Sequence, residues 1–462
     1  MLHEAKSIEV RDQRGSMRRY ALSPNPDAPD VDWCYLEHMT IHTLPDDVLL
    51  DVFDLYRADD EYFTIGMWKS LIHVCRRWRS IIFASPQRLH LVLECDARTS
   101  VSKLLDTWPP FPITIRCSLK DDVEGENIIA ALELRDRISG ISFDRMQNSV
   151  ELERFLSMMR QPFPALTRFH FTFHYDIGSP FILQRVSSSQ LRGFNISNSH
   201  TFLEFPKLFL SATCLTTLSL LGLPSAQHHF SPEMLVAYLA ALPILKEFSV
   251  GFCWQAPGSR PDPRNPPSQT PVVLPALTSF RFEGVSEYLE DFVARIDTPL
   301  LDNVHIVFFI HHIFHVQQLC GLMIRSKVFK PLEQAFIGLH SWTLRITLGS
   351  PTHPSFFLGI KCHTTLWRIS LMAQLCNDLS PLLSHVERLE VCGNPCPAPA
   401  LPGDMESAQW LKLFRPFKAV QSLHVSKLIV PLVTPVLQEP NVSVEGHTDA
   451  LPSLREVIFE GL

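Results

Sequence analysis

Neither a phosphate-cradling glycine loop nor a nucleophile elbow occurs in this chain. The patterns G-x-x-x-x-G-K-[ST], G-x-G-x-x-G and G-x-S-x-G are all absent, which removes the usual signatures of nucleotide binding and of serine hydrolysis. No charge sign dominates. With 41 Lys and Arg against 48 Asp and Glu, the formal net charge is −7, and no overall field favours nucleic acid. The tight basic cluster Arg76, Arg77 and Arg79 is expected to be the solvated edge of a helix. Long apolar runs are missing too: Val304 to Ile310 is too short to span a bilayer, so no membrane segment is expected. The N-terminus MLHEAKSIEVRDQRGSMRRY is charged throughout and has no apolar h-region, so an intracellular location, cytoplasmic or nuclear, is expected. In that compartment the 11 scattered cysteines read as free, mostly buried thiols.

Clusters of chemistry-bearing residues are thin. His311-His312-x-x-His315 with Cys320 places two histidines one helical turn apart, but the Glu of a hydrolytic zinc motif is missing, and surface or capping histidines are the expectation. Cys392-x-x-x-Cys396 has no second ligand pair and reads as loop thiols. Asp121, Asp122, Glu124 and Glu126 read as a solvated turn. No catalytic residue, metal or cofactor is expected.

What the chain does have is apolar mass and pattern. At 462 residues and 46% hydrophobic it can build a large core, as two or three domains or one extended repeat array. Near the N-terminus, Pro45 suits the first turn of a helix, and Asp46 and Asp47 suit its positive end. Val48, Leu49, Val52, Phe53 and Tyr56 then recur along one helical face, and Leu71, Val74, Cys75, Trp78, Ile81 and Ile82 make a second. Two such short helices bury too little alone and need each other and a further surface.

The order Leu44-Pro45-x-x-Val48-Leu49-x-x-Val52-Phe53, followed by Leu71-x-x-Val74-Cys75-Arg76-Arg77-Trp78 and Ser85-Pro86, resembles the F-box motif. The resemblance implies a three-helix module, residues 38–90, that docks on a Skp-type adaptor of a cullin-based ubiquitin ligase. It assigns the adaptor contacts to Leu44, Pro45, Val48, Leu49, Val52, Phe53, Leu71, Val74, Cys75, Trp78 and Ile81. The spacer RADDEYFTIGM from Arg57 to Met67 is longer than the family's, which leaves the placement of Trp78 against Leu49 and Phe53 open.

Downstream the pattern L-x-x-φ-x-φ, with φ apolar, keeps returning. It reads ISGISF at 138, LTRFHF at 166, LRGFNI at 191, LTTLSL at 215, LKEFSV at 245 and LTSFRF at 277. It continues as LDNVHI at 301, LEQAFI at 332, LWRISL at 366, VERLEV at 386, VQSLHV at 420 and LREVIF at 454, with RLHLVL near 89 and ITIRC near 113 as degraded members. The alternating end of each unit predicts a strand, and helices are expected at 231–242, 150–159, 287–296 and 405–414. Ser231, Pro232 and Glu233 supply a cap, a first-turn proline and an acid.

This array resembles the leucine-rich repeat family. The expected fold is therefore α/β: a disordered tail over 1–37, a small helical module over 38–90, and an irregular leucine-rich-repeat-like solenoid with parallel strands over 91–462. Pro-rich insertions are expected at 255–271 and 394–404. The family's turn Asn or Cys is met only by Cys253 and Asn394. In each strand the residues between core positions point away from the core. The candidate target-binding stripe is thus Arg168, His170, Arg281, Glu283, His305, Arg388, Glu390 and His424, whose mixed charges suit a protein ligand. The function expected is a non-catalytic substrate receptor of a ubiquitin ligase. The alternative is a repeat scaffold or sensor that binds a protein without feeding degradation.

Overall fold

The computed structural model describes residues 7–11, 17–21, 41, 43–58, 71–85, 91–95, 100–107, 110–117, 122–146, 154–155, 157–159, 161–173, 182–183, 188–197, 202–203, 212–223, 231–253, 271–309, 314–327, 332–340, 343–349, 354–361, 368–393, 403–438 and 451–460. The chain divides into two units, Met1–Arg88 and Leu89–Leu462.

In the first unit, strands β1 (Ser7–Arg11) and β2 (Met17–Ala21) pair antiparallel, within the segment expected to be a tail. Helix α1 spans Asp46–Ala58, opening where Pro45 and the two acids predict it. Residues 71–74 are helical, and α2 follows over Arg76–Ala84. Cys75 separates them in an extended conformation, and its sulfur accepts the Trp78 N–H at 3.4 Å, so a thiol caps α2. The spacer beyond Ala58, up to residue 70, and Pro86 lie outside the described residues.

The second unit is mixed α/β around a 15-stranded, mostly parallel sheet. Its strands are β3 (Leu91–Glu94), β4 (Ile113–Cys117), β5 (Ile138–Met146), β6 (Arg168–Phe173), β7 (Gly193–Ser197), β8 (Thr217–Leu223), β9 (Glu247–Phe252), β10 (Ser279–Gly284) and β11 (Asn303–Phe308). Then come β12 (Gln334–Leu339), β13 (Thr343–Gly349), β14 (Pro354–Lys361), β15 (Arg388–Gly393), β16 (Ser422–Ser426) and β17 (Glu456–Glu460). From β3 to β11 each strand lies parallel beside the one before it.

The apolar positions of the repeated pattern explain that order. Leu93, Ile115, Ile141, Phe169, Phe194, Leu218, Phe248, Phe280 and Val304 stand in one cross-strand row. The row continues through Phe356, Leu348, Ala335, Leu389, Leu423 and Val457, and all but Val457 are buried. A one-residue slip in any strand would turn that row to the other face, so the core sets the register. Phe169 and Phe194 stack at 5.3 Å, and Phe248 and Phe280 at 5.9 Å.

The turn before each strand repeats as well. Thr167 O accepts from Arg192 and Gly193 N–H, Arg192 O from Thr216 and Thr217, Thr216 O from Lys246 and Glu247, and Lys246 O from Thr278 and Ser279. Thr hydroxyls at this position donate to the previous unit's carbonyl, as Thr167 does to Ser139 at 2.8 Å and Thr216 to Arg192 at 3.0 Å. Each unit thus ties its entry turn to its neighbour's backbone.

Helices close the core side: α3 (Val101–Thr107), α4 (Asp122–Leu132), α5 (Pro232–Ala240), α6 (Ser286–Val293), α7 (Gln317–Arg325), α8 (Arg368–Asp378), α9 (Ser380–Leu383), α10 (Gly403–Phe414) and α11 (Val430–Gln438). Ser231 caps α5 by accepting the Met234 N–H, as its sequence predicts. Phe292 and Tyr288 of α6 pack on Phe248, Phe280, Phe252 and Phe282 of the sheet.

Three expectations are corrected. The described part of LWRISL, residues 368–371, begins α8 and is no strand, because Ile369, Met372, Leu375 and Cys376 recur at helical spacing and bury as a helix face. The acidic segment is the start of α4 and not a turn, with Glu126 paired to Arg154 at 2.8 Å, while Asp121 lies outside the described residues. Arg76 and Arg79 are exposed, whereas the half-buried Arg77 also reaches across to α1, as described below.

Strands β13 and β14 carry no repeat signature. Only residues 340–342 separate β12 from β13, and His340 N–H bonds Thr343 O at 3.0 Å. A parallel return needs a crossover of about a dozen residues. The connection therefore forces antiparallel pairing, and β13 runs against both β12 and β14. Gly349, at φ 102°, closes β13 in a backbone conformation that suits glycine. This meander sits between β11 and β15, with β14 parallel to β11 and β12 parallel to β15. The Pro-rich segments 255–271 and 394–404 lie almost wholly outside the described residues.

Candidate protein-interaction surfaces

In the first unit, the expected adaptor residues separate into two sets. Leu49, Phe53, Trp78 and Ile81 are buried, and they hold the helices together. Trp78 meets Phe53 edge to face at 4.7 Å. Arg77 locks the same pair of elements from the outside, donating to Leu44 O at 2.6 Å and to the Asp46 carboxylate. Arg79 donates to Ile72 O at 3.0 Å. The second set faces outward: Val48 is 39% exposed, Val52 38% and Val74 56%, with Pro45 exposed and Leu44, Leu71 and Cys75 half-buried. Val48 and Val52 stand one turn apart on α1, so the helix presents an exposed apolar strip beside the face that holds Trp78.

In the second unit, His170, Arg281, His305, Glu390 and His424 fall in one row on the open face of the sheet, away from the core. The row runs His170, Asn195, Ser219, Ser249, Arg281, His305, Phe357, Thr347, Phe336, Glu390, His424. Arg168 and Arg388 lie in a flanking row and Glu283 in the other. The stripe breaks into three groups: Asn195, Ser219 and Ser249 separate the first from the second, and Phe357, Thr347 and Phe336 separate the second from the third. His170 stands 3.5 Å from the Asp144 carboxylate and 3.1 Å from the Thr172 hydroxyl. Arg281 is paired with Glu283 and adjoins His305, whose pKa is held down by burial and then by the Arg281 charge, against Glu283. Glu390 and His424 are cross-strand neighbours.

Arg345, Thr347 and Phe357 belong to the same face and were missed because β13 and β14 lack the leading Leu of the repeat; Phe336, on β12, stands between the two core positions of LEQAFI and was passed over although the pattern marks it. Alternation of Leu344, Ile346 and Leu348, and of Phe356, Leu358 and Ile360, is the signal that finds them.

Among the described residues, no group of three or more His, Cys, Asp or Glu is placed to hold a metal, and no helix is long and apolar enough to cross a membrane. His315 is exposed ahead of α7 and Cys320 is buried within it, while His311, His312 and Cys396 lie outside the described residues. No protein-family model matches the chain, and no curated protein matches it.

Proposed function

We propose that the chain is an F-box-type substrate receptor: residues 44–84 hold a Skp-type adaptor of a cullin-based ubiquitin ligase, and the open face of a leucine-rich-repeat-like solenoid selects the protein to be modified. The observation that carries the docking half is the Phe53–Trp78 contact. It brings the two motif halves together despite the long spacer and leaves Val48, Val52 and Val74 outward as a candidate adaptor strip. The repeat half is supported by the sequential parallel strands and their recurrent turn bonds. Cys253 adds to it, since its thiol donates to Gly222 O of the previous unit at 3.0 Å, as the family's turn residue does.

Such a receptor performs no chemistry itself. A conjugating enzyme elsewhere in the assembly transfers ubiquitin, and this chain raises the effective concentration of target lysines near it.

Co-purification of the adaptor and cullin with the full chain tests the reading. Val48→Asp with Val52→Asp should abolish capture while leaving the fold intact, because both side chains are outward. Capture that survives this pair, or wild-type chain that captures neither protein, would refute the docking assignment.

A further inference from the structure

We infer that the reversed strand β13 and its neighbours form a recognition patch for a carboxylate-bearing segment of a partner protein, with Arg345 receiving the acid. This rests on reading the open face as the target-binding surface, and adds the chemistry of what binds there.

Along the open-face row, His305 stacks on Phe357 with centroids 4.3 Å apart and planes within 7°. Thr347 lies between Phe357 and Phe336 in register and is buried by its position there. The flanking row passes through Gly359, Arg345 and Gly338. Neither glycine can be replaced without a clash: a Cβ on Gly338 would stand 2.6 Å from Arg345 Nε, and one on Gly359 would stand 2.9 Å from Phe357 Cε1. The glycines let the Arg345 stem and the Phe357 ring lie flat on the sheet.

Arg345 is thereby fixed by packing alone. Its guanidinium carbon sits 4.4 Å from the Phe336 centroid, and its buried Nε has no acceptor among the described residues. Among the described residues no carboxylate pairs with it, whereas Arg281 is matched by Glu283, which also lies 3.9 Å from Lys361. An uncompensated cation whose rotamer freedom is already spent, beside half-buried rings, is preorganised for an anion. Its place over the Phe336 ring suits an acid next to an apolar residue in an extended segment.

A single guanidinium balances a monoanion. Glu390, which neighbours Phe336 in register, and Glu283, in Arg345's own row, would oppose the second charge of a phosphate. The occupant is therefore an Asp or Glu side chain.

Phage-displayed random dodecapeptides panned on the full chain, with the enriched peptides resynthesised carrying a fluorophore for anisotropy titration, test this. Enriched peptides should carry Asp or Glu beside an aromatic or aliphatic residue. Arg345→Met should weaken them by about tenfold or more. Changing the peptide acid to its amide should cost the same on wild type and nothing further on Arg345→Met, a readout independent of how the variant folds. Lys246→Met, an exposed cation ahead of β9, should change nothing. The inference fails if no peptide is enriched, if Arg345→Met binds as tightly as wild type, or if phosphoserine in place of the acid binds tighter. Adaptor binding measured on the same preparations reports separately on the docking module.

Discussion

The indole of Trp78 rests edge-on against the ring of Phe53, with planes 60° apart and both side chains buried. These residues come from opposite sides of the RADDEYFTIGM spacer, so the contact is what makes one module of two helices. An aromatic pair of this geometry contributes about 0.5–1.5 kcal/mol beyond its burial, and deleting a buried Trp costs about 3–5 kcal/mol. Trp78→Ala should therefore release both helices, seen as lost hydrogen-exchange protection at the α1 and α2 amides, with the strands of the second unit unaffected. Protection that persists in the variant would show that the helices hold without each other.

Arg295 is buried, its side chain 7% exposed, and it faces both Glu233 and Asp291. Burial raises the Asp291 carboxyl first, the Arg295 charge lowers it, and Glu233 raises it again. Arg295→Met leaves two carboxylates facing one another without a cation and should cost about 3–5 kcal/mol in denaturant unfolding. Adding Glu233→Gln and Asp291→Asn should recover most of that loss. If the triple variant is as unstable as the single one, packing of the Arg295 stem carries the stability.

Glu290 accepts N–H bonds from Gln318 at 2.7 Å and Leu319 at 3.0 Å, filling the N-terminus of α7. Burial nonetheless raises its pKa, against those N–H bonds and the His315 charge. A carboxyl with a raised folded-state pKa adds stability below its unfolded pKa and loses it as pH climbs through the folded value. Glu290→Gln keeps an acceptor and cannot ionise, so its denaturation midpoint should rise relative to wild type between acidic and neutral pH. Glu290→Ala should be less stable than Glu290→Gln by about 1 kcal/mol throughout. A pH-independent gap between wild type and Glu290→Gln would contradict the burial cost.

Thiol reactivity follows the same physics. Burial, with Glu290 and Asp378 adding, pushes Cys320 up to about 11, and complete burial raises Cys376 further, while Cys214 is exposed. Among the described cysteines, iodoacetamide at about pH 8 should alkylate Cys214 first and leave Cys320 and Cys376 until unfolding, read by peptide mass spectrometry. Early labelling of Cys376 would show that the α8 core opens under native conditions.

Most strands were legible because one physical demand, two alternating apolar residues behind a buried lead residue, recurs from Ile138 to Phe459. The demand is met by burial against neighbouring units, so each match also gave its strand's register. LWRISL satisfied the same spacing by coincidence, and only the helical continuation through Leu375 and Leu379 distinguishes it. Strands β13 and β14 were hidden because they carry no lead residue, which also hid Arg345 and Phe357. In the first unit the apolar pattern located the two helices but not which side chains they bury. Burial assigns Leu49, Phe53, Trp78 and Ile81 to the interior and leaves the valines outside, a division that helical periodicity cannot make when apolar residues cover more than one face.

Calorimetric titration of the full chain with a purified Skp-type adaptor is the most direct test of the docking assignment. Wild-type chain should bind one adaptor saturably, and Val48→Asp with Val52→Asp should remove the binding while α1 and α2 keep their exchange protection. Absence of binding by the wild-type chain, or equal binding by the double variant, would contradict it.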